Sequence, residues 1–69
     1  MNLVTICTSF YSAEAELTVS RLEAAGFHPF LANENVANLM GGFSAATLLR
    51  VEVPESEAAD AKEFLNPPS

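Results

Sequence analysis

Ala46-Thr47-Leu48-Leu49-Arg50-Val51-Glu52-Val53-Pro54 is the stretch that decides the fold. Leu49, Val51 and Val53 alternate with Leu48, Arg50 and Glu52, so an extended chain places the first three on one face and the charges on the other. Proline cannot donate to a strand ladder, and Pro54 closes the run. The pattern predicts a strand from Ala46 to Val53 with one buried face and one exposed face. Such a strand belongs to a sheet covered by helices on one side only.

Downstream, Glu55 and Glu57 stand where the positive end of a helix dipole favours carboxylates. Ala58, Ala61 and Leu65 follow at helical spacing as a buried stripe, with Phe64 beside them and Lys62 near the far end. Pro67-Pro68 stops the helix and leaves no residues for a further strand. Upstream, Gly41-Gly42 stops a short helical segment in which Val36, Leu39 and Met40 share a face, and Asn33-Glu34-Asn35 reads as its cap. Pro29 extends the chain before it, so Phe30-Leu31-Ala32 is a short second strand suited to a sheet edge.

The first strand is Leu3 to Thr8. It is rich in β-branched residues, and its apolar side chains fall on both faces, Val4 and Ile6 on one, Leu3 and Cys7 on the other. Ser12 offers a capping hydroxyl to a helix running from about Ala13 to Ala25, with Glu14 and Glu16 in its first turn. Ala15, Val19, Leu22 and Gly26 form the face of that helix turned to the sheet. Gly26 supplies a left-handed residue just past its end, which lets Phe27 fold back on Leu22.

The order is strand, helix, strand, insert, strand, helix. A right-handed crossover leaves a gap between the first two strands, and the third enters it antiparallel. The expected fold is α+β: a ferredoxin-like βαββα unit, which is βαββαβ lacking its last strand. It has a three-stranded antiparallel sheet, two helices on one face, and a short helical insert between strands two and three. Residues 1–66 form one domain and 67–69 a C-terminal tail. The missing strand would have paired with Leu3 to Thr8, so that edge is expected to present unpaired backbone groups.

Composition sets outer limits. Sixty-nine residues suffice for one domain, and a domain this small buries only about 60% of its unfolded surface. One cysteine, Cys7, and one histidine, His28, build neither a disulfide nor a structural metal site within the chain, which leaves self-association as the remaining staple. Three basic against nine acidic residues give a net charge of −6, which disfavours nucleic acid and anionic membrane as partners. With no basic first region and no apolar run near the ~18 residues of a membrane span, the expected location is the cytoplasm.

Several short stretches resemble a known group. Glu14-Ala15-Glu16-Leu17, Leu22-Glu23-Ala24-Ala25-Gly26-Phe27, the Asn33-Glu34 pair, and Val51-Glu52-Val53-Pro54 before an acidic, alanine-rich helix are similar to the small bacterial family labelled "putative prokaryotic signal transducing protein". The resemblance covers about the whole chain. It implies a bacterial domain similar in fold to the PII-like, ferredoxin-like regulators, with no catalytic residue to carry over.

Few residues carry chemistry. Gly41 and Gly42 bring backbone amides close enough to cradle an anion, but no Walker-type lysine follows, and a helix stop explains them. Asn33, Glu34, Asn35 and Asn38 offer amides and a carboxylate to a small polar ligand, against a plain capping duty. His28, with Ser12, Ser44 or Cys7, lacks the motif of a nucleophilic set, so no enzyme is expected. Cys7 reads as an apolar filler. Glu57, Asp60 and Glu63 read as a solvated helix face rather than a cation site. No cofactor is expected.

The apolar residues without a packing duty are Phe10, Tyr11, Leu17, Leu39, Met40 and Phe43, whose types are enriched in interface cores. The reading is a regulatory or adaptor module that associates with a protein partner or with itself as a dimer or trimer. Its alternative is a PII-like sensor holding a metabolite at the insert.

Overall fold

A computed structural model describes residues 2–35 and 47–68. Five elements follow in order: β1 (Leu3–Ser9), α1 (Ser12–Ala24), β2 (Phe30–Asn35), β3 (Thr47–Pro54) and α2 (Glu55–Leu65). The sheet has the order β1-β3-β2 with β3 antiparallel to both neighbours, so β3 fills the gap that the right-handed crossover leaves between the first two strands. This is the ferredoxin-like βαββα arrangement.

The core is the seam between the sheet and its helices. Leu49, Val51 and Val53 of β3 are buried against Ala15 and Leu22 of α1 and Ala58 and Ala61 of α2. Small residues dominate the helix side, so the helices lie close on the sheet and the large side chains come from the strand. Val4, Ile6, Cys7, Val19, Phe27 and Leu65 pack half-buried around this cluster.

Three local readings are corrected. In β1 the register slips between Thr5 and Cys7, so that Val4 stands opposite Val53 and Cys7 opposite Val51. Partners in an antiparallel pair share a face, which puts Cys7 on the helix side with Val4 rather than across from it. The bulge lets both Ile6 and Cys7 reach the core, and alternation alone gave no sign of the extra residue.

Asn33, Glu34 and Asn35 are strand residues that extend β2 opposite Leu49, Leu48 and Thr47, and the helical segment expected after them lies outside the described residues. The pull of the β3 ladder exceeds the weak turn preference of asparagine. Ser12 is the first residue of α1 rather than its cap. The preceding Tyr11 takes the cap position without a side-chain bond, and the hydroxyl of Ser9 accepts the Tyr11 N–H at 3.0 Å and donates to Glu14 Oε2 at 3.3 Å.

The end of α1 follows the expected geometry. Gly26 has φ +94°, the Phe27 N–H donates to Leu22 O and the Gly26 N–H to Glu23 O, both at 3.0 Å. These two bonds define the Schellman turn, and Phe27 is delivered to the core beside Leu22. Its ring lies 5.9 Å from that of Phe64, which in turn has Arg21 above it at 5.6 Å, so the two helices are laced together on this side.

Candidate functional site

The open side of β1 is the candidate site. Among the described residues no strand pairs with it, since β3 occupies the other side. The N–H of Glu55 donates to the carbonyl of Asn2 at 2.8 Å, which marks Asn2 opposite Glu55 as a hydrogen-bonded position at the end of the ladder. Alternation along an antiparallel ladder then turns the backbone of Val4 toward β3 and that of Leu3 and Thr5 outward. Past the bulge, the same rule turns Thr8 outward. The first charged residue of the chain is Glu14, so nothing on this edge repels an incoming strand, although the bulge interrupts its spacing.

The sheet face that neither helix covers, bare among the described residues, continues from this edge. Thr5, Glu52 and Phe30 form one row across it, and Thr8, Arg50 and Ala32 the next. Thr5 Oγ1 donates to Glu52 Oε2 at 3.2 Å. Arg50 stands in the middle, and its Nε is buried with no hydrogen-bond partner among the described residues. Phe30 is exposed on this face, and Leu31, opposite Val51, is exposed on the helix side of the β2 edge.

Above the sheet, α2 has two unlike flanks. Glu57 and Phe64 turn toward α1 and the start of β2. The His28 N–H donates to Glu57 Oε1 at 2.8 Å, and His28 Nδ1 lies 2.6 Å from Oε2. The imidazole is 72% exposed, whereas the carboxylate side chain is only 22% exposed. The backbone N–H of His28, followed by its ring, holds the Glu57 carboxyl below its ordinary pKa. The opposite flank carries Glu55, Ala59 and Lys62, all exposed, on the side away from α1. A groove lined by Asn2, Pro54, Glu55 and Ser56 lies at the start of that flank, beside the open edge.

The sequence-predicted site residues scatter. Asn33 stands opposite Leu49 and Glu34 opposite Leu48, so the two fall on opposite faces of the sheet and do not converge. Phe10 and Tyr11 are exposed just past β1, and Leu17 is exposed on α1. Leu39, Met40, Gly41, Gly42 and Phe43, with Asn38, lie outside the described residues, as does the side chain of Asn35. Cys7 is half-buried with its Sγ 3.9 Å from the Thr8 carbonyl. Glu57 is engaged by His28, which removes it from the row with Asp60 and Glu63. Among the described residues no three His, Cys, Asp or Glu side chains come together as metal ligands do, and no helix is long and apolar enough to cross a membrane.

Two features escaped the sequence reading. The His28–Glu57 pair joins positions 29 residues apart, and no local pattern signals it. The flank formed by Glu55, Ala59 and Lys62 is legible as helical spacing, but which flank overhangs β1 depends on the placement of α1.

Residues 3–66 match the model of the family described as "putative prokaryotic signal transducing protein". The chain belongs to this family. No curated protein and no solved structure gave a match.

Proposed function

We propose that this member of the signal-transducing family is a non-enzymatic regulatory or adaptor domain of the bacterial cytoplasm that works by protein–protein association through β1. The observation that carries the reading is the open, uncharged edge at Leu3, Thr5 and Thr8. Strand addition to such an edge gains main-chain hydrogen bonds without requiring a preformed pocket. The exposed Phe10 and Tyr11 lie at its end and extend the contact with aromatic area. The net charge of −6 argues for a protein partner over nucleic acid or an anionic membrane. A metabolite site at the β2–β3 connection has no comparable support, because Asn33 and Glu34 diverge.

Isotope-labelled protein in bacterial cell extract provides the test. Backbone signals of Leu3 to Thr8 should shift or broaden selectively, while those of β2 stay in place. A Thr5→Pro variant should lose the response and keep its fold, since the Thr5 N–H points outward and is not used by β3. An unchanged β1 in the extract, or a response that Thr5→Pro retains, would overturn the reading.

A further inference from the structure

We infer that the occupant of the β1 edge is a second copy of this chain, paired antiparallel along Leu3–Thr5 about a two-fold axis at Val4, with the two α2 helices side by side above the joined sheets. The inference rests on the association reading above and adds the identity and register of the partner.

Backbone geometry fixes the axis. Leu3 and Thr5 are the outward-facing residues on the near side of the bulge, and a two-fold axis at Val4 makes them each other's bonding partners: Leu3 of one copy with Thr5 of the other, and the reverse. Beyond Thr5 the bulge breaks the spacing, so no longer register is available on this half of the strand.

The helix above agrees with the same axis. α2 begins beside Asn2, where Glu55 meets its carbonyl, and returns over the sheet along the direction of β1. Its residues advance about 1.5 Å each while strand residues advance about 3.3 Å, so the middle of α2, at Ala59 and Asp60, stands level with Val4. Because α2 packs on β1 and β3 together, its axis lies between them. With strands about 4.8 Å apart, the two-fold mate of α2 falls about 10 Å away, the separation of directly packed helices.

The facing flank is its own complement. Ala59, small and exposed, lies at the crossing point. Glu55 and Lys62 lie on the same flank to either side of it, so antiparallel helices bring Lys62 of one copy toward Glu55 of the other, twice. A two-fold contact needs a surface that matches itself, and this flank holds the only lysine of a chain with three basic residues. The groove at Asn2, Pro54, Glu55 and Ser56 is where that lysine arrives. The edge of β2 has no such arrangement: Pro29 precedes it and Glu34 lies on it.

Sedimentation equilibrium over a concentration series reaching millimolar, at moderate salt, reads the assembly, and amide exchange reads the edge. The expected result is a dimer in which the Leu3 and Thr5 amides gain protection as concentration rises. Ala59→Glu leaves the exposed helix face intact and places two carboxylates at the crossing, and should weaken the dimer by about tenfold or more. Lys62→Glu should weaken it several-fold, and the double exchange Glu55→Lys with Lys62→Glu should restore it. A dimer that neither Ala59→Glu nor Lys62→Glu alters would overturn the inference, as would a protein that remains monomeric throughout. A monomer whose Leu3 to Thr8 signals respond only to cell extract removes the second copy and keeps the association reading. A monomer indifferent to the extract removes both.

Discussion

The two outer strands of the sheet share one neighbour and differ in almost everything else. β2 is entered through Pro29, carries Glu34, and is tied at its start to α2 by the His28–Glu57 contact. β1 has no charge and no proline, and its one irregularity is the bulge between Thr5 and Cys7. Charge and proline are the ordinary means of keeping an edge from pairing. A bulge is another such means, so β2 carries charge and proline while β1 carries only the bulge, and the two edges present different surfaces to an incoming strand.

The largest break in this comparison comes from the core that both edges share. Leu22 is fully buried on α1, which packs across β1, β3 and β2. Leu22→Ala should cost about 2–5 kcal/mol, enough to unfold much of so small a domain, and urea titration followed by exchange should show both edges opening together. If β1 and β2 instead opened at different denaturant concentrations, the edges would differ in stability and not only in what they present.

Proline substitutions probe the edges separately. On β3, Glu52 and Arg50 bond toward β2, which turns the backbone of Leu31 and Asn33 to the outside. Thr5→Pro and Asn33→Pro therefore each remove one outward donor without touching the ladder. Sedimentation should show association weakened by about tenfold for Thr5→Pro and unchanged for Asn33→Pro. Equal effects would erase the distinction between the edges.

A smaller effect concerns the approach to β2. Gly26 has open space where a Cβ would stand, so Gly26→Ala meets no clash and its cost of about 1 kcal/mol comes from the backbone alone. Thermal unfolding should show the loss, with β1 association at matched folded concentration unaffected.

The smallest effect is a pH dependence at the β2 entry. A carboxyl held below its ordinary value stabilises the fold above that value, and the contribution disappears as pH falls through the lowered one. Glu57 should therefore stabilise the protein at neutral pH and lose this contribution below about 4.5, its ordinary value. Glu57→Gln should be less stable than the parent at pH 7, and the gap should narrow on acidification; a constant gap would show that the His28 contact does not depend on the charge.

Much of the architecture was legible because it is written in short-range periodicity. The alternation of Leu49, Val51 and Val53, the Ala58–Ala61–Leu65 stripe and the Gly26 turn each involve neighbours within a few residues. What was misread depends on the other side of a ladder. The bulge at Ile6 exists because Cys7 meets Val51, and Asn33 to Asn35 are extended because they run in register beside Leu49, Leu48 and Thr47 of β3. The candidate site was half legible: the place of β1 at a sheet edge followed from the order of the elements, whereas the divergence of Asn33 and Glu34 followed only from the pairing of β2.

The sequence by itself determined the element order, the one-sided sheet, the place of β3 at its centre and the uncharged character of β1, since periodicity, turn chemistry and charge are properties of neighbouring residues. Tertiary structure decided which backbone groups of β1 face outward, which flank of α2 stands over that edge, and that His28 meets Glu57. Those depend on register and on the placement of α1, which are set by residues distant along the chain brought together by burial of one shared core.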